Sequence, residues 1–286
     1  MPQQASNRDK VTLTFIGHIS IDKVENTNGV RVQPGGGALY AAIAAKTLNA
    51  KTALVSAVGK KFPFTECFDR LDIRHIRKSR SPTTRFHIRY NKNWEAKYIE
   101  ANEGAGARIT ASQVPSSLLK PQSAVHIAPM KPSKVARIVD NIRKRSSQVD
   151  ISMNSWAGYI ETSRQRRSLL KIASQVDFFM LNEFEAKALA QTRYLPIALE
   201  RIKAKRLIVT MGKLGAIMSG IDFETSMMPA LSVPTEKIMD TTGAGDVWSG
   251  AFLAAYKITK DLMNSVTVAS IVSSLKCSGW GFESIK

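Results

Sequence analysis

The stretch Asp240-Thr241-Thr242-Gly243-Ala244-Gly245-Asp246, with Val247-Trp248-Ser249-Gly250-Ala251-Phe252-Leu253-Ala254-Ala255-Tyr256 behind it, decides how this chain is read. The second run is small and apolar, and it predicts a buried helix. The N–H groups of a helix's first turn have no internal acceptors, and the dipole favours negative charge there. Glycines at that end let a phosphate approach the backbone, because no Cβ intervenes. Asp246 stands at the mouth of the same anion pocket. A carboxylate there would repel a phosphate, so it needs a purpose, such as accepting a proton from an attacking hydroxyl. The alternative is an ordinary aspartate capping a helix. The four residues Gly-Ala-Gly-Asp alone favour that plainer reading; all seven, with the helix, favour the functional one.

Composition sets the outer bounds. The chain has 286 residues, enough for a sizeable core. Its 44% hydrophobic and 22% charged residues are those of a soluble globular protein. The net charge of +18 raises the question of an anionic partner. The basic residues are scattered, however, from Lys10 to Lys286. The densest groups, Arg143-Lys144-Arg145 and Arg164 with Arg166-Arg167, fall in amphipathic helices and read as solvated surface, so nucleic acid is not the expected partner. Cys67 and Cys277 form no CxxC pair, and His18, His75, His87 and His126 share no metal-type spacing. Met1 to Lys10 has no apolar signal core, and Lys46 and Lys257 interrupt the long apolar runs. A cytoplasmic protein with no membrane segment is expected.

Val11 to Ile16 alternates and is rich in β-branched residues, predicting a first strand ended by Gly17. Asp22 follows near that strand's C-terminal end, where open α/β sheets hold ligands; a turn residue is the plain alternative. Gly35-Gly36-Gly37 leads into a helix of small residues, Ala38 to Leu48, and Lys51 to Ala57 is the next strand. Thr83 to Tyr90 and Glu95 to Ala101 alternate around Asn91-Lys92-Asn93 and predict a hairpin. From Ala124 onward strands (124–128, 149–153, 177–181, 206–209) alternate with helices (131–146, 162–176), predicting a parallel sheet covered on both faces. Asn182 and Glu185, three apart at a strand's end, fit an ordinary capping box. Thr210-Met211-Gly212-Lys213-Leu214-Gly215 reads as a turn after the last of these strands.

The string Asp-Thr-Thr-Gly-Ala-Gly-Asp ahead of a small-residue helix resembles the second signature of the PfkB carbohydrate kinase family, and the remaining motifs follow in that family's order over nearly the whole chain. The resemblance implies a ribokinase-like α/β fold: a doubly wound, mostly parallel sheet with helices on both faces and a small β lid. It implies one kinase domain over 1–286, with lid strands from about 18–34 and 83–101. Asp246 becomes the base, and the N–H groups of Gly243, Ala244 and Gly245 the anion hole. Asp22, Gly35, Gly36 and Arg85 turn toward the substrate, with Tyr40 where relatives carry Asn. Thr210, Gly212 and Gly215 line the nucleotide together with Asp240 and Thr241, and the helix 262–278 flanks the adenine. Asn182 and Glu185 hold Mg²⁺ and its water near the phosphates. Asp240 fixes the loop and stands near the monovalent cation site of some relatives. Two departures, Tyr40 and the Lys61 that replaces the acidic residue of Val-Gly-x-Asp, argue against a standard ribokinase.

The expected activity is transfer of the γ-phosphate of ATP to an alcohol. There is no Gly-x4-Gly-Lys-Ser/Thr and no kinase-type His-Arg-Asp string to support another phosphoryl-transfer design. The acceptor is a sugar or polyol. Thr83-Thr84-Arg85-Phe86 and Trp156-Ala157-Gly158-Tyr159 faintly resemble the inositol-kinase branch, which points to myo-inositol, and a nucleoside is the alternative. From another class, a nucleic-acid-binding or regulatory protein on the same fold would explain the charge but not the retained Asp246. Lid edges pair in this family, so a homodimer is expected.

Overall fold

A computed structural model describes residues 12–221, 223–231 and 233–286. Val11 and the polar stretch Met1–Lys10 lie outside them. The strands are β1 (Thr12–Ile16), β2 (Ser20–Asn26), β3 (Gly29–Gly35), β4 (Lys51–Gly59), β5 (Asp72–Ser79), β6 (Thr84–Tyr90), β7 (Ala96–Asn102), β8 (Ala124–Ile127), β9 (Asp150–Asn154), β10 (Phe178–Asn182), β11 (Arg206–Thr210), β12 (Ala216–Gly220) and β13 (Phe223–Met228). The α-helices are α1 (Gly37–Thr47), α2 (Pro132–Arg145), α3 (Ser163–Ala173), α4 (Glu183–Ala190), α5 (Leu195–Arg201), α6 (Ala244–Thr259) and α7 (Leu262–Lys276).

Among the described residues, nine strands form one sheet in the order β13-β12-β11-β10-β9-β8-β1-β4-β5. The neighbours from β11 to β5 pair in parallel, and β12 and β13 complete one edge antiparallel. Alternation along the central strands splits the core in two. Leu13 and Phe15 of β1 face α1, α6 and α7, whereas Ile16 faces the side covered by α2, α3, α4 and α5. A second sheet of four strands, in the order β3-β2-β6-β7, is built from residues 20–35 and 84–102.

Three elements have no counterpart in the sequence pattern: β5, α5 and the β12–β13 hairpin. β5 reads Asp-Ile-Arg-His-Ile-Arg-Lys-Ser and pairs only with β4. At a sheet edge its basic side chains face water, so no apolar alternation marks it. The β12–β13 hairpin breaks the strand–helix rhythm because it adds to the sheet antiparallel, next to β11. Among the described residues, no helix is long and apolar enough to cross a membrane.

α6 is buried continuously from Val247 to Ala255. Trp248, Phe252 and Tyr256 stack four residues apart along it, and Phe252 meets Phe178 of β10 at a centroid distance of 5.3 Å. Against α1 the approach is closer still. A Cβ on Gly250 would lie 2.0 Å from the carbonyl oxygen of Ala41, so glycine lets the two backbones touch. Gly250→Val should therefore destabilise the fold by about 2 kcal/mol through overpacking, read as a lower denaturant midpoint. Gly245→Ala, whose Cβ meets nothing within 4 Å, should leave that midpoint unchanged.

Candidate active site

The N-terminus of α6 leaves backbone donors free beside a carboxyl group. Gly243 caps it in the left-handed region, φ 74°. A Cβ there would lie 2.5 Å from the Tyr40 ring, so the loop rests directly on that ring. The Ala244 N–H is taken by the Thr241 carbonyl and the Val247 N–H by that of Gly243. The N–H groups of Gly245 and Asp246 find no acceptor among the described residues, as first-turn donors do when a ligand supplies one. Ser273 of α7 ties the turn down by donating to the Ala244 carbonyl at 2.9 Å.

Asp246 sits in this first turn, half-buried. Asn154 Nδ2 donates to its Oδ1 at 2.8 Å. Burial drives the carboxyl up to about 6 against the lowering effect of that bond. A Cβ on Gly37 would lie 2.7 Å from the same Oδ1, so the start of α1 also closes on Asp246. Two helix N-termini thus converge on one carboxyl group.

Beside it runs a cleft of about 130 Å³, lined by Thr210, Gly212, Gly215, Ala244 and Gly245 with Ser270 of α7. The turn after β11 and the loop before α6, distant in sequence, meet there. Gly215 also allows a close crossing, since at φ 110° its Cβ would lie 1.9 Å from the Met228 carbonyl oxygen across the hairpin. Thr241 lies at the loop, half-buried, with Oγ1 unpartnered.

Asp240 is not part of that lining. It is fully buried behind the loop, where Oδ1 accepts from the Thr242 N–H at 2.8 Å and Oδ2 from Gln33 Nε2 and the Gly281 N–H, both at 3.0 Å. The fully buried Lys276 ammonium lies 3.3 Å from Oδ2 and donates to the Asp240 carbonyl oxygen. Burial alone would raise the Asp240 carboxyl; the Lys276 charge and the Thr242 and Gln33 hydrogen bonds hold it below the usual range. The Asp240 side chain thus braces the loop from the core side, apart from the cleft where its nucleotide contact is expected.

On the small sheet, Asp22 is buried, accepts from Ser20 Oγ at 2.6 Å, and is pushed up to about 7 by burial, with smaller contributions from the Asp240 and Asp246 charges. Gly35 makes room for it, since a Cβ there would lie 1.8 Å from Asp22 Oδ2. Gly36 turns the chain at φ 98° against the His18 carbonyl. Tyr40 is 1% exposed, with its hydroxyl accepting from Gln33 and its ring edge-on to Phe282. The core behind the loop thus encloses it, although a substrate contact is expected there. Arg85 pairs with Ile21 and Phe86 with Asp22, so strand alternation puts exposed Arg85 on the face away from Asp22.

Asn182 and Glu185 form a reciprocal capping box at the start of α4, with Asn182 Oδ1 accepting from the Glu185 N–H at 2.8 Å and Glu185 Oε2 from the Asn182 N–H at 3.1 Å. Burial, aided by the Asp246 charge, pushes Glu185 up to about 8. Met180 of β10 pairs with Asn154 of β9, and Asn182 with Thr210 of β11. The residues just described therefore occupy the C-terminal ends of three adjacent parallel strands, the ligand-binding edge of such sheets.

This edge, the loop and α6 match a known family. The model of the pfkB family carbohydrate kinases aligns with residues 11–283. The chain belongs to that family. It is 28% identical over 281 residues to the cytidine kinase of Thermococcus kodakarensis, covering 96% of this chain and 98% of that one. In structure it is similar to the nucleoside kinase of Methanocaldococcus jannaschii, with TM-score 0.76, 22% identity, and coverage of 94% and 92%. It is also similar to a fructokinase double mutant from Vibrio cholerae described with fructose, ADP and potassium ion bound, with TM-score 0.79, 17% identity, and coverage of 96% and 95%. The ribokinase-like fold and a phosphotransferase acting on a hydroxyl group follow from this membership.

Three parts of this pfkB kinase's site escape the sequence reading. Asn154 ends β9 as Asn182 ends β10, and that position is its available signal. Lys276 reads as a basic residue in a helix's last turn, and nothing local tells that it is buried. The third is a wall of rings: Tyr98 of β7 and Trp156, 4.9 Å apart, with Phe86 5.8 Å from Tyr98 and 6.5 Å from Trp156. A wider open groove of about 470 Å³, lined by Arg77, Lys78 and Arg108, lies at the β5 edge and contains none of these residues.

The raised carboxyls link stability to pH. A group whose folded-state pKa exceeds its unfolded one stabilises below the unfolded value, and that contribution is lost as pH rises through the folded one. For Asp246, Asp22 and Glu185 the loss falls at about 6, 7 and 8. Buried His18 and His126, lowered to about 4 and about 3 by desolvation, act in the opposite direction only below their ordinary value of 6.5. The thermal midpoint of the ligand-free protein should thus rise as pH falls from about 8.5 to about 6.5, and Glu185→Gln should flatten that slope.

Proposed function

We propose that this pfkB kinase transfers the γ-phosphate of ATP to a hydroxyl group of a nucleoside. The observation that carries this reading is the ring wall of Phe86, Tyr98 and Trp156, with Phe86 in register with Asp22 and on the same face of the small sheet. Three aromatic faces offer stacking and little hydrogen bonding, which suits a base; stacking on such faces is worth ~1–3 kcal/mol per base. A sugar or inositol would ask for more polar groups at that place. The similarity to a cytidine kinase supports the same substrate class. Asp22 would receive the ribose hydroxyls. The small sheet acts as a lid, and the face away from Asp22, where Val30 and Val32 are exposed, is where two lids would pair.

In the reaction the acceptor hydroxyl gives its proton to Asp246 as its oxygen bonds to the γ-phosphorus. The bond from that phosphorus to the bridging oxygen breaks, and ADP leaves. The free N–H groups of Gly245 and Asp246 stabilise charge on the phosphoryl oxygens, and the space above Gly245 admits them. Asn154 keeps the carboxyl aimed. Mg²⁺ fits this place: Glu185 and Asp246 are oxygen donors raised by burial with no cationic partner among the described residues. Glu185 would hold it through water, and it would supply charge neutralisation for the phosphates.

A monovalent cation at Asp240 does not fit. The Asp240 carboxylate is met by the N–H donors of Thr242, Gln33 and Gly281 and by an ammonium, none of which can ligate a cation. Gln33 Oε1, Thr241 Oγ1 and Thr242 Oγ1 are unpartnered along this loop, but they are neutral oxygens, and the one charged group beside them is the carboxylate that the ammonium already holds.

Asp246→Asn should abolish turnover. In the wild type kcat/KM should fall as pH drops through about 6, and Asn154→Ala, which removes the bond that lowers this carboxyl, should move that limb to higher pH. ADP release from Mg-ATP across nucleosides, ribose, fructose and myo-inositol tests the substrate class. Trp156→Ala should raise the nucleoside KM by about tenfold, the equivalent of ~1.4 kcal/mol of lost stacking, with kcat nearly unchanged. Ribose turned over as well as any nucleoside would sink the nucleoside reading.

A further inference from the structure

The cation site that fails to fit a metal is already filled by the chain itself. Lys276, the last residue of α7, is 0% exposed, and its ammonium reaches both the carboxylate and the carbonyl oxygen of Asp240. The same ammonium lies 5.9 Å from the centre of the Tyr40 ring, on which Gly243 rests. We infer that the Lys276 ammonium is this kinase's built-in monovalent cation, a positioning group that shapes the anion loop and makes turnover independent of potassium.

Asp240 receives three N–H donors and is fully buried, so it is an anion, and an anion without countercharge would not persist there. It also lies directly behind a loop meant to receive a polyphosphate, where an uncompensated negative charge would repel the ligand. Lys276 cancels it from the core side. Geometry adds a second effect. In a trans peptide the carbonyl and the following N–H point in opposite directions. By drawing the Asp240 carbonyl toward the core, Lys276 turns the Thr241 N–H the other way, toward the loop's outer side. The backbone around the pair is fixed from the same quarter, since the Met239 and Asp240 N–H groups both donate to the Cys277 carbonyl, one residue past Lys276. A free ion would have to be bound from solution each time to do this; the tethered ammonium is always present.

The inference rests on the kinase reading, so its first readout is independent of any acceptor. Thermal midpoint, Mg-ADP affinity and then turnover are measured for the wild type in potassium, sodium and choline chloride at one ionic strength. Agreement of all three salts within about twofold in Kd and kcat, with one midpoint, is expected. A potassium-specific rise in midpoint, or stimulation of about fivefold or more over choline, would overturn it. Lys276→Met removes the charge and keeps the aliphatic length. It should lower kcat and weaken Mg-ADP by about tenfold or more while the acceptor KM stays within about threefold, a split that general loosening of the fold would not give. A folded Lys276→Met that binds Mg-ADP like the wild type would also overturn it. Should that variant not fold, the wild-type salt series decides alone. Failure of the kinase reading would show instead as absent turnover with the midpoint series intact.

Discussion

The contact on which the site depends is the one between α1 and α6, where Gly250 lies against the Ala41 carbonyl with no side chain between. Once the two backbones touch there, their N-terminal ends are carried to the same point. Gly37 closes on the Asp246 carboxylate from one side, and Gly243 rests on the Tyr40 ring from the other. Both helices direct the positive ends of their dipoles at that point. A larger residue at any of these glycines would part the helices and pull the two ends away from each other. The abundance of alanine and glycine in α1 and α6 is therefore a requirement of the chemistry, and it reads locally as nothing more than helix propensity.

The four buried acids of the site divide by their company. Among the described residues Asp22, Glu185 and Asp246 pair with no cationic side chain; all three are driven up by burial, and the Asp246 charge adds to the rise of Asp22 and Glu185. Asp240 has Lys276 and three N–H donors, and is driven down. In the proposed reaction the first three would meet a hydroxyl, a cation or a proton, and the fourth already has its countercharge. On that proposal the difference separates groups that would face a ligand from one that holds the scaffold. It arises from position alone, because all four are carboxylic acids of nearly the same intrinsic strength.

What the sequence shows and what it hides follow from the same distinction between local and long-range order. The Asp240–Asp246 string, the glycine pair before α1, the Asn182–Glu185 box and the Thr210 turn are local patterns, and each is legible because its residues are neighbours in the chain. Arg85 and Tyr40 lie in the strand and helix that the sequence outlines, but the sequence does not show which faces they present. The face of Arg85 is set by the β2–β6 register, and that of Tyr40 by the side of α1 that meets Gly243; neither is written in nearby residues. Asn154 and Lys276 escape for a related reason. One gains meaning from the strand beside it, the other from a burial that a lysine ending a helix does not announce. β5 is invisible because an edge strand can be as basic as any surface.

The small sheet and the anion loop behave as one piece. Asn26 and Asn28 of the β2–β3 hairpin donate to the Met239 and Ile238 carbonyls, and Gln33 of β3 reaches the Asp240 carboxylate. The strands that carry Asp22 are thus bonded to the residues that lead into Gly243 and Gly245. A shift of this sheet would pull on Asp240, which is pinned by Lys276 and cannot follow freely. The bonds therefore oppose independent movement of the sheet that holds Asp22 and the loop that holds Gly243. In phosphoryl transfer, where most of the protein's work is alignment of an attacking oxygen with phosphorus, that mechanical link matters as much as the base itself.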